Sequence, residues 1–350
     1  MNETQKNEST EKQKTEREQP GTSPLEDIPI LNEEFDEYLR KSAAEEQLYS
    51  IALFDILGFS DFVEQNGTEV IMDLYQRLLE LVYRQQSSKE GELTITGVVP
   101  VPTSADCTGS FYIAQGNGYV NVIHFSDTFI LYVNYDIKAP GFWLRDSKYE
   151  SHPLVYNEDG TPIPENFFRN AGILPSFLQT CMEFFCSALI AGIPLRGCIS
   201  TGIARMDKFQ NLYIGKPLVE AAKGETARKS IGITYGKSFC HYHSIYHDYH
   251  IPYLANIKEE HGAARYLSPM AVDWPRYWRN RTDFHQLSIE DCINKMNHDE
   301  RHSEYYDNAI AFARFSEKHD NWAEEINYDN VKDIFDFYKE AEKWYLAVSE

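Results

Sequence analysis

The spacing of apolar positions changes along the chain and divides it into successive elements. "SIALF" (Ser50–Phe54) is nearly continuous in apolar residues, which predicts a strand covered on both faces. From Asp61 to Arg84, Val63, Val70, Ile71, Leu74, Leu78, Leu79 and Val82 follow helical spacing and predict one helix. The runs "ELTITGVVPV", "SFYIA", "YVNVIHFSD" and "TFILYVN" then predict strands, and Asp136 to Gly172 reads as a loop rich in Pro, Gly and Asn. "ILPSFLQTCMEFFCSALIAG" reads as a buried helix and "IPLRGCISTGIA" as the strand after it. "NLYIG" leads into a short helix from Pro217 to about Lys229, followed by the strand "IGITYG". Beyond about residue 240, "SIEDCINKMNHD", "YYDNAIAFARF" and "NYDNVKDIFDFYKEAEKWYLAV" read as helices. The order predicts an α/β fold, an α+β sandwich whose mixed or antiparallel sheet is flanked by helices, with a helical C-terminal extension.

Composition narrows the classes. The 20 Phe, 5 Trp and 23 Tyr argue for a folded core. A net charge of −21 disfavours duplex nucleic acid or an anionic membrane as the main partner, although local cations or a metal can still hold a small anion. Residues 1–45 are polar and acidic and predict a disordered arm, which places the folded domain at 46–240 and the mostly helical extension at 241–350. The first 24 residues are polar, so no signal peptide is predicted. No apolar run approaches the ~20 residues of a membrane span. The six cysteines form no CxxC pair, and the expected setting is cytoplasmic and reducing.

Candidate chemistry begins with Asp55, which follows the apolar run and precedes Gly58. A carboxylate there is costly without a partner, so either a cation of the protein or a metal stands opposite it. Asp127 repeats the pattern between two strand-like runs, where a hairpin turn falls. Two aspartates at neighbouring strand ends suit a hard divalent cation, which takes oxygen ligands from one or two carboxylates and substrate phosphates. Gly58 allows a tight turn, so that backbone N–H groups from Leu57, Gly58, Phe59 and Ser60 can face phosphate at a helix start. The plainer readings are a helix cap for Asp55, a turn residue for Asp127 and a salt-bridged strand residue for Arg196. "CHYHSIYHDYH" places His243 and His247 at i, i+4, but the spacing matches no known zinc pattern and the interleaved tyrosines suit packing. Neither a G-x-S-x-G elbow nor a GxxxxGK[ST] loop is present.

"ALFDILGFSDF" resembles the first metal motif of the class III nucleotidyl cyclases, and "HFSDTFILYV" is similar to their second, with Ser126 in place of the usual Gly. "LRGCISTGIA" and "YIGKPLVEAAKGE" resemble two further motifs in family order, so the likeness spans Ser50 to about Ser238. The resemblance implies a cyclase-like catalytic domain in which Asp55 and Asp127 bind two Mn²⁺ or Mg²⁺ ions, with the Ile56 carbonyl as a further ligand. It also implies a nucleoside triphosphate substrate and a head-to-tail homodimer with sites at the interface. Where the family helix carries Asn and Arg, this chain has Val219 and Lys223; Lys223 keeps the charge but not the bidentate fork. Arg205 and Lys208 are candidate phosphate contacts. The purine-reading positions align with Ile123 and Leu212, neither of which can hydrogen-bond a base. A pyrimidine pocket with aromatic contact from Phe54 or Tyr49 fits better. The chain therefore looks like the pyrimidine cyclases of bacterial Pycsar antiphage systems, which implies synthesis of cyclic UMP or cyclic CMP.

Overall fold

The computed structural model describes residues 47–87, 94–100, 110–115, 120–135, 165–207, 211–239, 250–258, 260–281, 284, 286–296, 300–326 and 334–349. The expected arm at 1–45 lies outside them, as do Lys208, Cys240, His241, His243 and His247. Residues Glu45–Glu350 make one compact unit.

The central strand β1 (Gln47–Ile56) is apolar on both faces because both are covered. Alternation sends Leu48, Ala52, Phe54 and Ile56 into the main core, while Tyr49 and Ile51 enter a second cluster on the opposite face. Ser50 is satisfied between them, with its hydroxyl 2.9 Å from that of Tyr135 and 2.7 Å from that of Thr201. The helix expected from Asp61 is two helices, α1 (Phe59–Asn66) and α2 (Thr68–Ser87). The break falls at Gly67, whose φ of 74° lies outside helical geometry. Strands β2 (Thr94–Pro100) and β3 (Ser110–Gln115) pair as a separate antiparallel ribbon. Strands β4 (Asn121–Phe125) and β5 (Thr128–Tyr135) form a hairpin against β1.

Of the predicted loop Asp136–Gly172, residues from Glu165 onward belong to helix α3 (Glu165–Ile190), and 136–164 lie outside the described residues. The window Ile173–Ile190 is long and apolar enough to cross a membrane by length and composition, but 72% of it is buried inside the protein, as a core helix is. Strand β6 (Leu195–Asp207) pairs antiparallel with β1 and with β7 (Leu212–Gly215). Helix α4 (Lys216–Ala227) crosses back to β8 (Gly232–Gly236), which pairs parallel with β6.

Residues after 240 are not helical throughout. Strands β9 (His250–Pro252) and β10 (Leu267–Val272) extend the main sheet beyond β8. The eight strands run β4-β5-β1-β6-β8-β10-β9, with β7 paired to β6. The boundary expected at 240 therefore cuts a continuous sheet. Helices α5 (Trp274–Asn280), α6 (Ile289–Asn294), α7 (Ser303–Lys318), α8 (Trp322–Glu325) and α9 (Ile334–Ser349) complete this α+β fold, nine helices in all among the described residues. Trp274, Phe312 and Trp322 join the same core as Phe54 and Phe185. His250, the described member of the His-rich stretch, is buried with its ring stacked on Tyr235 at 4.7 Å.

Candidate functional site

The last residues of β1 carry the site. Asp55 lies opposite Thr128 of β5 and Arg196 of β6, on the face that alternation denies to Phe54. Asp127 occupies the two-residue turn between β4 and β5, where its carbonyl accepts from the Ile56 N–H at 3.1 Å. Its neighbour Ser126 adopts a left-handed φ of 55°, and the Ser126 carbonyl accepts from the Tyr75 hydroxyl at 3.0 Å. The turn is thus pinned from β1 and from α2, which brings the two aspartates together. Burial raises the Asp55 pKa above the usual carboxylate value; the Arg196 contact offsets part of this, and the nearby Asp127 charge raises it further.

The cation opposite Asp55 is Arg196, whose Nη2 lies 2.7 Å from Asp55 Oδ2. The same nitrogen is 2.7 Å from Glu225 Oε1. Glu225 comes from α4, where Pro217, Ala221 and Glu225 recur every fourth residue and turn a carboxylate toward the sheet. Its pKa is pushed up to about 7, first by burial, against the pull of Arg196, with Asp55 and Asp127 raising it and Lys258 lowering it. The rim beside this trio comes from the C-terminal third. The Tyr305 ring lies 5.9 Å from the Arg196 guanidinium and 5.6 Å from Lys258 Nζ. Arg301 pairs with Asp61 at 2.7 Å, and the His302 ring stands 3.6 Å from where a Cβ on Gly58 would sit.

Several expected contacts are placed elsewhere. Phe54 is buried against Phe184 and over Gly197, so it presents no face to a base. Leu57 is buried and its N–H is engaged by the Pro194 carbonyl at 2.9 Å, so it is not offered to phosphate. Gly58 does hold the left-handed turn, at φ 69° and ψ 32°, before α1. Phe59 packs against the core and Ser60 is exposed. The Ile56 side chain is buried in the core, and its backbone joins the Asp127 turn. Lys223 donates to the Tyr266 hydroxyl at 3.0 Å instead of facing the aspartates. Arg205 sits nine positions along β6 from Arg196, roughly 30 Å at strand rise, with Asp207 at 3.9 Å. Val219 is 55% exposed on α4. Tyr49, with Ile123 half-buried nearby, packs edge-on to Tyr132 in the second cluster.

Among the described residues, no group of three or more His, Cys, Asp or Glu is arranged to hold a metal ion. The protein's own donors at the strand ends are two carboxylates, which suits Mg²⁺ or Mn²⁺ with water or phosphate oxygens completing the shell. Glu225, Lys258, Tyr305 and His302 were not read from the sequence as site residues. Only Glu225 carried a signal, its place on the apolar stripe of α4. No protein-family model matches the chain, and no curated protein matches it either.

Proposed function

We propose that this chain is a class III cyclase-like enzyme that converts UTP or CTP to cyclic UMP or cyclic CMP and pyrophosphate. The observation that carries the reading is the pairing of Asp55 and Asp127 across the β1–β5 junction, held by the Ile56 N–H to Asp127 carbonyl bond of 3.1 Å. Asp55 and Asp127 would hold the divalent ions, which supply charge neutralisation at the α-phosphate and lower the pKa of the attacking 3′-hydroxyl. Gly58 sets the turn beside which the triphosphate lies. Ile123, half-buried in the second cluster beside Leu53, offers an apolar side chain that suits a pyrimidine read by shape, whereas Leu212 pairs with Asp207 at the far end of β6, away from this chain's own aspartates. Val219 and Lys223 fall on the outward side of α4, away from this chain's own carboxylates, where a second copy in a head-to-tail homodimer would receive them. A cytoplasmic location and a signalling role in antiphage defence belong to the same reading.

A second reading, a cyclase-fold module that binds nucleotide without turning it over, is favoured by the engagement of Lys223 with Tyr266 and of Arg196 with Asp55. One experiment separates them. Purified protein is incubated with each ribonucleoside triphosphate and Mn²⁺, and the products are identified by mass spectrometry. Cyclic UMP or CMP is expected from the wild type and none from Asp55→Ala or Asp127→Ala, with the oligomeric state unchanged. No turnover from folded wild-type protein supports the second reading, and cyclic AMP or GMP overturns the pyrimidine assignment.

A further inference from the structure

Arg196 reaches two acids through one nitrogen, at 2.7 Å from each. The side chain of Asp55 is 20% exposed, whereas those of Arg196 and Glu225 are 13% and 5% exposed, so a cation from solvent meets Asp55 first. Two cations on one carboxylate repel each other in a half-buried setting, so an incoming divalent ion competes with Arg196 for Asp55. A receiving group is already in place. Gly224 presses α4 onto β6, where a Cβ would come within 2.4 Å of Cys198 Sγ, and the next residue, Glu225, is thereby held against the guanidinium. Tyr305 backs the guanidinium at 5.9 Å.

We propose that Arg196 is the resident counter-ion of the Asp55–Asp127 pair and that Glu225 is the seat that takes it over when a divalent ion binds. The proposal rests on the cyclase reading, since it needs the paired aspartates to be the ion's ligands. Glu225 is then a positioning residue, acting on the metal site through Arg196. Without the seat, Asp55 is the one acid left to Arg196 among the described residues, and the ion competes with a cation that has no second carboxylate to move to.

The test is a Mn²⁺ titration of the full chain without nucleotide, with free ion followed by electron paramagnetic resonance and folding by circular dichroism. Wild-type protein is expected to bind Mn²⁺ and Asp55→Asn to lose that binding; absence of such binding in the wild type overturns both the metal assignment and this proposal. Glu225→Gln is expected to weaken binding about tenfold, with Glu225→Asp in between. The double variant Arg196→Met/Glu225→Gln removes the competitor and is expected to regain wild-type affinity or better. Because losing Arg196 raises cation affinity by charge alone, the deciding comparison is that Glu225→Gln weakens binding when Arg196 is present and leaves it unchanged in Arg196→Met, which a structural ion pair or simple loss of negative charge does not give. Unchanged affinity in Glu225→Gln, or a double variant no tighter than the single, overturns the proposal and leaves the cyclase reading standing. Should Glu225→Gln fail to fold, unchanged affinity in Glu225→Asp overturns it equally.

Discussion

Phe54 and Asp55 are adjacent in sequence and serve opposite faces of the sheet, one packed on Phe184 and the other beside Arg196. The two acids were legible because carboxylates at the ends of apolar runs need partners. The role given to Phe54 failed because neighbours on a strand cannot share a face. Glu225 is the residue whose burial has a measurable consequence. Its folded pKa of about 7 exceeds the ordinary 4.5, so the folded chain binds more protons than the unfolded one between these values. Stability contributed by this site is therefore full below about pH 4.5 and declines as pH rises toward 7. Glu225→Gln is expected to flatten that decline by on the order of 1–3 kcal/mol, measured as urea unfolding free energies of variant and wild type at pH 5 and pH 8. An identical pH slope in the two proteins contradicts the assignment.

At the scale of elements, α4 on β6 decides the geometry of the site. Gly224 lies where a methyl would meet Cys198 Sγ at 2.4 Å and Leu267 Cδ2 at 3.4 Å. Gly224→Ala gains about 1 kcal/mol of helix propensity but overpacks a closed contact, which typically costs about 1–3 kcal/mol. We expect net destabilisation in thermal or urea unfolding, largely reversed in Cys198→Ala/Gly224→Ala; a stabilised single variant would mean that the helix does not sit this close. The strands and the buried helices were readable because their periods are clean. The split at Gly67 and the extra turns of α3 before Ile173 were not, since a single glycine and a polar helix start carry weak local signals.

For the whole molecule, the segment after 240 is part of the sheet. β10 covers the edge of β8, and Trp274 packs on Phe185 at 4.9 Å and above Gly232. Its helices were legible from spacing. Its two short strands were not, because three to six residues give little period to read. A chain ending at residue 240 is expected to be insoluble or aggregated on size-exclusion chromatography, because an unpaired inner strand edge and the apolar seat of Trp274 are bared. A monodisperse, folded fragment would restore the boundary that the sequence suggests.

The ion pair between Asp61 and Arg301 and the seating of His302 on Gly58 join positions some 240 residues apart in the chain. During synthesis the turn after β1 leaves the ribosome some 240 residues before the groups that brace it. Closing such distant contacts is slow, and the half-made chain must keep its aromatic-rich strands from pairing with neighbours meanwhile. Closure of this brace is thus a late event in the life of each new molecule, reached only once residues 301 and 302 have arrived.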